Sequence, residues 1–318
     1  MRPIRFATQS GGAPSAEEWL ARGKRIEALG YGTLAMPDHM VGGAWAAMPA
    51  LAALAMVTTK LRLGTLVIDN DFRNPVVCAR EVAVLDVLSG GRFELGLGAG
   101  WFDRDYQGTG IPFDRGRVRV ARLAEAVTLM KRLFTEEQVD FEGEFYKVTK
   151  AECRPKVVQQ PHPPLMIAGG GSEILTLAGR EADIVAIVPA GITGSGKLAK
   201  EAVTLETMKQ QAQLVRDAAG GRADAIEYSM FLDCVITDDR DKKIGEMAET
   251  AKVDPDLIKG SAYRGIGTLE EITAHVRMLR AEVGITYFCL RGPDVEKLGP
   301  VIAALSSSRP APSAVPGA

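Results

Sequence analysis

Residues 86–101 read Asp86-Val87-Leu88-Ser89-Gly90-Gly91-Arg92-Phe93-Glu94-Leu95-Gly96-Leu97-Gly98-Ala99-Gly100-Trp101. The stretch begins as the tail of an apolar-periodic segment. Ser89-Gly90-Gly91 stops that helix, because glycine takes left-handed backbone angles without a Cβ clash. Arg92 to Leu97 then reads as a short buried strand. It runs into Gly96, Gly98 and Gly100, alternating glycines with no Asn or Asp to form a turn, and Trp101 follows. Glycine at that density lets a strand end bend sharply or lets another group come close to the backbone. Helix, tight stop, strand and bare strand end make one βα module whose strand ends at a ligand.

The same unit recurs in both directions from there. Upstream, short apolar strands are expected at Ile4–Thr8, Thr33–Met36 and Leu61–Ile68. They are separated by a helix opened by a Ser15/Glu18 capping box, an Ala/Met-rich helix over Ala44–Thr58, and a helix capped by Asn74 with Pro75 at its first position. Downstream, Arg115–Phe134 is a long amphipathic helix with Val120, Leu123, Ala124, Val127, Met130 and Phe134 on one face. Val139–Tyr146, with Gly143 at its middle, reads as a surface hairpin. Strands follow at Leu165–Ala168, Asp183–Val188, Ile226–Ile236 and Gly284–Leu290, with helices at Glu201–Ala219, after the Thr268/Glu271 box, and at Val295–Leu305. Alternation is weak in most strands, as for strands covered on both faces in a parallel sheet. Eight such units in 318 residues predict an α/β fold of the (β/α)8 TIM-barrel type with insertions, one domain over 1–305, and a disordered Ser/Pro/Ala tail at 306–318.

Composition agrees with that class. The chain is 25% charged and 46% hydrophobic with a formal charge of −2, which argues against nucleic acid or an anionic membrane as main partner. Cys78, Cys153, Cys234 and Cys289 are far apart and form no motif, as reduced, mostly buried thiols of a cytoplasmic protein would. No signal peptide and no apolar run of transmembrane length is expected.

In a barrel of this kind the chemistry sits where strands end and βα loops begin. His39, beside Asp38, ends the second strand; near-neutral imidazole suits proton transfer, and the alternative is a structural histidine at a loop start. His39, His162 and His275 stand far apart, and no His-x-His or Cys-x-x-Cys spacing points to a metal. Gly169-Gly170-Gly171-Ser172 opens a helix and can hold a phosphate on backbone N–H groups, or be an ordinary tight turn. Gly96 to Gly100 lacks the Rossmann spacing, and Gly194-Ser195-Gly196-Lys197 is not a Walker A loop. Arg291, just past the last strand, can meet an anionic group or stand in solvent. Pro189–Lys200 is a glycine-rich candidate mobile loop.

Leu85–Trp101 closely resembles the central motif of the bacterial luciferase-like flavin oxidoreductases. Leu63-Gly64-Thr65-Leu66-Val67, Phe72-Arg73-Asn74-Pro75, the Gly30–His39 segment, Gly267–Ile272 and Gly284–Phe288 match as well. Within that superfamily the chain looks most like the actinobacterial branch that uses coenzyme F420, an 8-hydroxy-5-deazaflavin, in place of FMN. The resemblance implies a ring laid across the strand ends and a non-proline cis peptide at Leu66–Val67. It also implies a catalytic pair of His39 (general base or polarising donor) and Asp38. Strand-end position and the resemblance together give the expected cofactor contacts as Leu66, Val67, Asp69, Gly98, Gly100, Trp101, Ala168, Gly169, Gly170, Gly171 and Ser172, with Trp101 and Arg291 toward substrate. The sugar-phosphate dehydrogenases of that branch carry glutamate where this chain has Trp101, which cannot transfer a proton. That departure favours a more apolar small-molecule substrate, or leaves Trp101 as a wall of the ring pocket. The expected activity is hydride transfer between a small organic substrate and F420. The alternatives are an FMN-dependent monooxygenase served by a partner reductase and a non-catalytic flavin-binding protein. A homodimer is a further family expectation.

Overall fold

The structure, a computed structural model, describes residues 2–191 and 199–306. The expected loop at 189–200 is therefore described only at its two ends, and all but Ser306 of the expected tail lies outside the described residues. In chain order the elements are β1 (Arg5–Gln9), α1 (Ala16–Ala28), β2 (Thr33–Met36), α2 (Ala47–Ala55), β3 (Arg62–Thr65), β4 (Ile68–Asp69), α3 (Pro75–Leu88), β5 (Phe93–Gly98), α4 (Asp103–Thr109) and α5 (Gly116–Thr135). There follow β6 (Val139–Glu142), β7 (Lys147–Ala151), β8 (Leu165–Gly169), α6 (Ser172–Glu181), β9 (Ile184–Ile187), α7 (Leu205–Ala219) and β10 (Glu227–Ile236). The chain ends with α8 (Arg240–Ala251), α9 (Pro255–Lys259), β11 (Arg264–Gly267), α10 (Leu269–Val283), β12 (Ile285–Arg291) and α11 (Gly299–Ser306).

Strands β1, β2, β3, β5, β8, β9, β10 and β12 pair in parallel in that order, and β12 returns to β1, so the sheet closes. This is the expected (β/α)8 barrel. Its local signals act as the residues dictate. Ser15 caps α1 by accepting from the Glu18 N–H at 3.2 Å. The reciprocal box is complete at Thr268 and Glu271. Asn74 caps α3 ahead of Pro75. On α5, Leu123, Val127, Met130 and Phe134 are buried against the barrel.

One implied feature is present and two others differ from the expected layout. The third strand breaks into β3 and β4 at the cis Leu66–Val67 peptide that the resemblance implies. The Leu66 N–H donates to Met36 O at 2.8 Å, and Gln9 Nε2 donates to Leu66 O at 2.6 Å, so neighbouring strands hold the break on both sides. Second, a ninth parallel strand, β11, pairs with Asp233–Ile236 of β10, beyond the residues of β10 that pair with β9. Third, the hairpin of β6 and β7 is more than decoration. Glu125 on α5 accepts three backbone N–H bonds from Glu144, Phe145 and Tyr146, and Asn70 Nδ2 donates to Tyr146 Oη at 3.1 Å.

Side chains two apart on a strand share a face, so the barrel interior is built in layers. β1 contributes Arg5, then Ala7, then Gln9; β10 contributes Glu227, Ser229, Phe231 and Asp233. At the N-terminal end Glu94 Oε1 accepts from Arg5 Nη1 and Arg62 Nε, each at 2.6 Å, and Glu94 Oε2 accepts from Tyr287 Oη at 2.9 Å. Glu227 takes Arg5 Nε and Nη2 at 2.9 and 2.7 Å, and the Arg5 guanidinium lies 3.5 Å over the Tyr287 ring. Above this floor lies an apolar layer of Ala7, Ala35, Leu66, Met166, Ile184, Ala186 and Cys289. The C-terminal mouth opens above that.

Candidate active site

A cavity of about 550 Å³ occupies the mouth, within the ~300–1,000 Å³ typical of small-molecule sites. Of the residues singled out from the sequence, Asp38, His39, Leu66, Val67, Asp69, Gly98, Gly100, Trp101, Ala168, Gly169, Gly170, Gly171 and Arg291 line it. Ser172 does not: it is exposed on the first turn of α6, and Gly171 is the cap residue.

His39 lies just past the end of β2, with its side chain 35% exposed. Its partner is Asp105 on α4, not Asp38. His39 Nδ1 lies 2.7 Å from Asp105 Oδ2, and Asp105 Oδ1 accepts the N–H groups of Met40 and Val41 at 2.8 and 3.0 Å. Asp105 is buried, and a carboxylate acceptor at Nδ1 places the ring proton there, while Nε2 of this cavity-lining residue has no partner among the described residues. The rings of Trp101 and Phe102 stand edge-on to the imidazole, with centroids at 6.0 and 5.8 Å. Asp38 is buried and engaged elsewhere, with both of its oxygens taken by Arg73. Asp105 is not among the residues to which the sequence points. It sits in a seven-residue helix with no apolar period, and its only local signal is an acidic residue shortly after a bare strand end.

Asp69 ends β4 and is buried, with its exposed part in the cavity. Its Oδ1 accepts from the Asp71 N–H at 3.0 Å and lies 3.2 Å from Tyr106 Oη. Burial pushes its carboxyl up to about 7. The Asp71 and Asp38 charges push the same way, while the bonds from the Asp71 N–H and Tyr106 oppose them. Gly100, at φ +74°, passes so close that a Cβ there would stand 2.5 Å from Asp69 Oδ2 and overlap Tyr106 Oη. A left-handed backbone and a close approach both require glycine at this strand end.

Across the mouth, the first turn of α6 has no side-chain cap, so its N–H groups stay available beside Gly169–Gly171. A Cβ on Gly170 would overlap Val188 O and stand 2.8 Å from Ala190 N, so this turn is bare for packing reasons as well. Arg291 stacks 4.1 Å over Phe231 and donates to Asp233 at 2.8 Å. Arg264 on β11 lines the same side, and its side chain has no partner among the described residues. His162 and His275 bond backbone carbonyls away from the cavity.

Comparison with known proteins supplies the context. The family model described as luciferase-like monooxygenase matches residues 1–251. An F420-dependent glucose-6-phosphate dehydrogenase of Intrasporangium calvum is 38% identical over 168 residues, half of each chain. An FMNH(2)-dependent dimethylsulfone monooxygenase of Pseudomonas putida is 24% identical over 209 residues, 65% of this chain and 54% of that one. The chain spans about half the length of the curated relatives it matches. Among solved structures, the coenzyme F420-dependent tetrahydromethanopterin reductase of Methanopyrus kandleri superposes with a TM-score of 0.78 at 18% identity, covering 96% of this chain and 98% of that one.

Proposed function

The chain belongs to the luciferase-like monooxygenase family, and from that premise we propose that it is an oxidoreductase that moves a hydride between a small organic substrate and coenzyme F420. The observation that carries this reading is His39. Asp105 fixes its tautomer, its Nε2 has no partner among the described residues, and it lines a cavity whose other side is bare strand-end backbone. The cavity suits a flat ring. Gly98 has no side chain to fill the space beside Val67, where a Cβ would stand 2.7 Å from Val67 Cγ2. The uncapped turn at Gly169–Gly171 suits the ring's phosphate-bearing tail. When bound, such a ring supplies a carbon that accepts or returns a hydride.

In this reading Leu66, Val67, Gly98 and Gly100 hold the ring, and Asp38, held on both oxygens by Arg73, forms part of the cavity wall. His39 Nε2 takes the hydroxyl proton of an alcohol as its carbon is oxidised, or returns it to a carbonyl in the reverse direction. Asp105 stabilises the imidazolium formed. Trp101 and Phe102 make an aromatic wall beside His39, which favours a substrate with an apolar body over a sugar phosphate. One barrel domain over 1–305 carries all of these groups.

A second reading, FMN-dependent monooxygenation with reduced flavin from a partner reductase, is supported by the dimethylsulfone monooxygenase similarity. The two are separated by titrating the purified protein with each cofactor. Tighter uptake of F420 than of FMN is expected, and equal or tighter FMN binding overturns the first reading in favour of the second. A homodimer is part of the proposal, and it is supported by exposed Val77, Val84 and Leu88 on one face of α3. Sedimentation at micromolar concentration should give twice the chain mass.

A further inference from the structure

Three carboxylates, Asp38, Asp69 and Asp71, meet where β4 ends, and guanidiniums pair with two of them, Asp38 and Asp71. Arg73 takes both oxygens of Asp38, and Arg122, shared with the more exposed Asp114, donates to Asp71 Oδ2 at 2.9 Å. Among the described residues no cation bonds Asp69. Tyr106 has a single phenolic proton for two acceptors, Asp71 Oδ2 at 3.0 Å and Asp69 Oδ1 at 3.2 Å. The cluster is therefore one positive charge short, and its unmatched member is the one whose Oδ2 has no partner among the described residues and which lines the cavity.

We propose that Asp69 keeps a proton on Oδ2 and presents it to the cavity, as the hydrogen-bond and proton donor to an acceptor nitrogen or carbonyl of the heteroaromatic ring bound there. The ligand half of this inference rests on the redox-ring reading above. The groups facing Asp69 are Asp38 past the end of β2, its partner Arg73 between β4 and α3, and Asp71 just past β4. Tyr106 faces it from α4, with the Asp105–His39 pair beyond. From α5 come Arg122 and Arg119. Arg119 is turned to backbone, donating to Ala99 O at 2.9 Å, Gly100 O at 3.1 Å and Asp114 O. Trp101 has no transferable proton, and Asp38 and Asp105 are already bonded on both oxygens. Asp69 is thus the acid on the ring side, as His39 is the base on the substrate side.

The proton count closes. An oxidised alcohol loses a hydride from carbon and a proton from oxygen. His39 Nε2 receives that proton, and Asp69 Oδ2 donates one to a ring nitrogen, so the substrate loses two hydrogens and the ring gains two. Solvent then reprotonates Asp69 while His39 releases its proton.

The test uses the whole chain and the isosteric Asp69→Asn. Infrared difference spectra of the ligand-free proteins across pH should show a carboxylic-acid carbonyl band, absent from the variant, that fades with a midpoint near 7. A midpoint below about 5, the range of an ordinary carboxyl, overturns the proton assignment. Titration with F420, and with FMN, should give wild-type binding that weakens by up to about tenfold per pH unit above the midpoint. Asp69→Asn, whose amide still donates, should lose that slope. An unchanged slope in the variant overturns the donor role. If wild type binds neither cofactor, the redox-ring reading fails and the donor role with it, while the infrared midpoint still decides the proton.

Discussion

At the N-terminal end of the barrel two arginines, Arg5 and Arg62, face two carboxylates, Glu94 and Glu227. At the C-terminal end two arginines, Arg73 and Arg122, face three, Asp38, Asp69 and Asp71. In the floor every charge has an opposite partner, and the Tyr287 hydroxyl completes the shell of Glu94. In the mouth, among the described residues, one carboxylate is left over, one hydroxyl is shared, and Asp71 Oδ1 is buried without a partner. A balanced network closes a barrel end, because a buried charge is tolerable when it is paired and bonded. An unbalanced one stores protonation states that chemistry can use. The same strands carry both: β5 supplies Glu94 to the floor and Gly98 to the mouth.

The comparison breaks first, and hardest, at the floor. Glu94→Ala leaves two part-buried guanidiniums short of a carboxylate and should cost about 3–5 kcal/mol of stability in denaturant unfolding, with cofactor affinity per folded molecule unchanged. The pH sign follows. Burial by itself would raise the Glu94 carboxyl, but Arg5 and Arg62 overcome it and hold it below its usual range. Its stabilisation is therefore present above the unfolded value of about 4.3 and is lost as pH falls through the lower folded value. Glu94→Gln should flatten the acid side of the stability curve. At the mouth the order reverses. His39→Ala should lower turnover by about a hundredfold while leaving thermal stability and cofactor binding near wild type, since the ring is partly exposed. Asp105→Asn should lower turnover by about tenfold by loosening control of the tautomer, and a loss as large as that of His39→Ala would mean that Asp105 does more than orient. Smallest of all, Trp101→Ala should raise KM about threefold with kcat unchanged if Trp101 only walls the pocket.

How far the sequence could be read follows from how local each interaction is. The βα rhythm, the caps at Ser15, Asn74 and Thr268, and the glycines at 96, 98 and 100 are short-range signals, and they fixed the barrel and the face that carries the cavity. The break between β3 and β4 came through resemblance, since nothing local in Leu66-Val67 marks it. Partners distant along the chain left no trace. Glu94 meets Arg5 across 89 residues, and His39 meets Asp105 across 66. The resemblance groups Asp38 with His39, but adjacent residues need not bond each other, and Asp38 turns to Arg73 instead. β11 was missed because Arg264-Gly265-Ile266-Gly267 is too short and glycine-rich to read as a strand, and it brought Arg264 to the rim unannounced. Ser172 was placed at the turn by its hydroxyl, but the helix begins one residue too early for it to reach the cavity.

The most direct test is a crystal structure of the protein soaked with F420 and, separately, with FMN. The account predicts the F420 ring lying across the ends of β2, β4 and β5 against Leu66 and Val67, with His39 Nε2 facing the reacting carbon and Asp69 Oδ2 at hydrogen-bond distance from the ring edge. A ring seated elsewhere, or one bound here with His39 and Asp69 both turned away from it, would contradict the account.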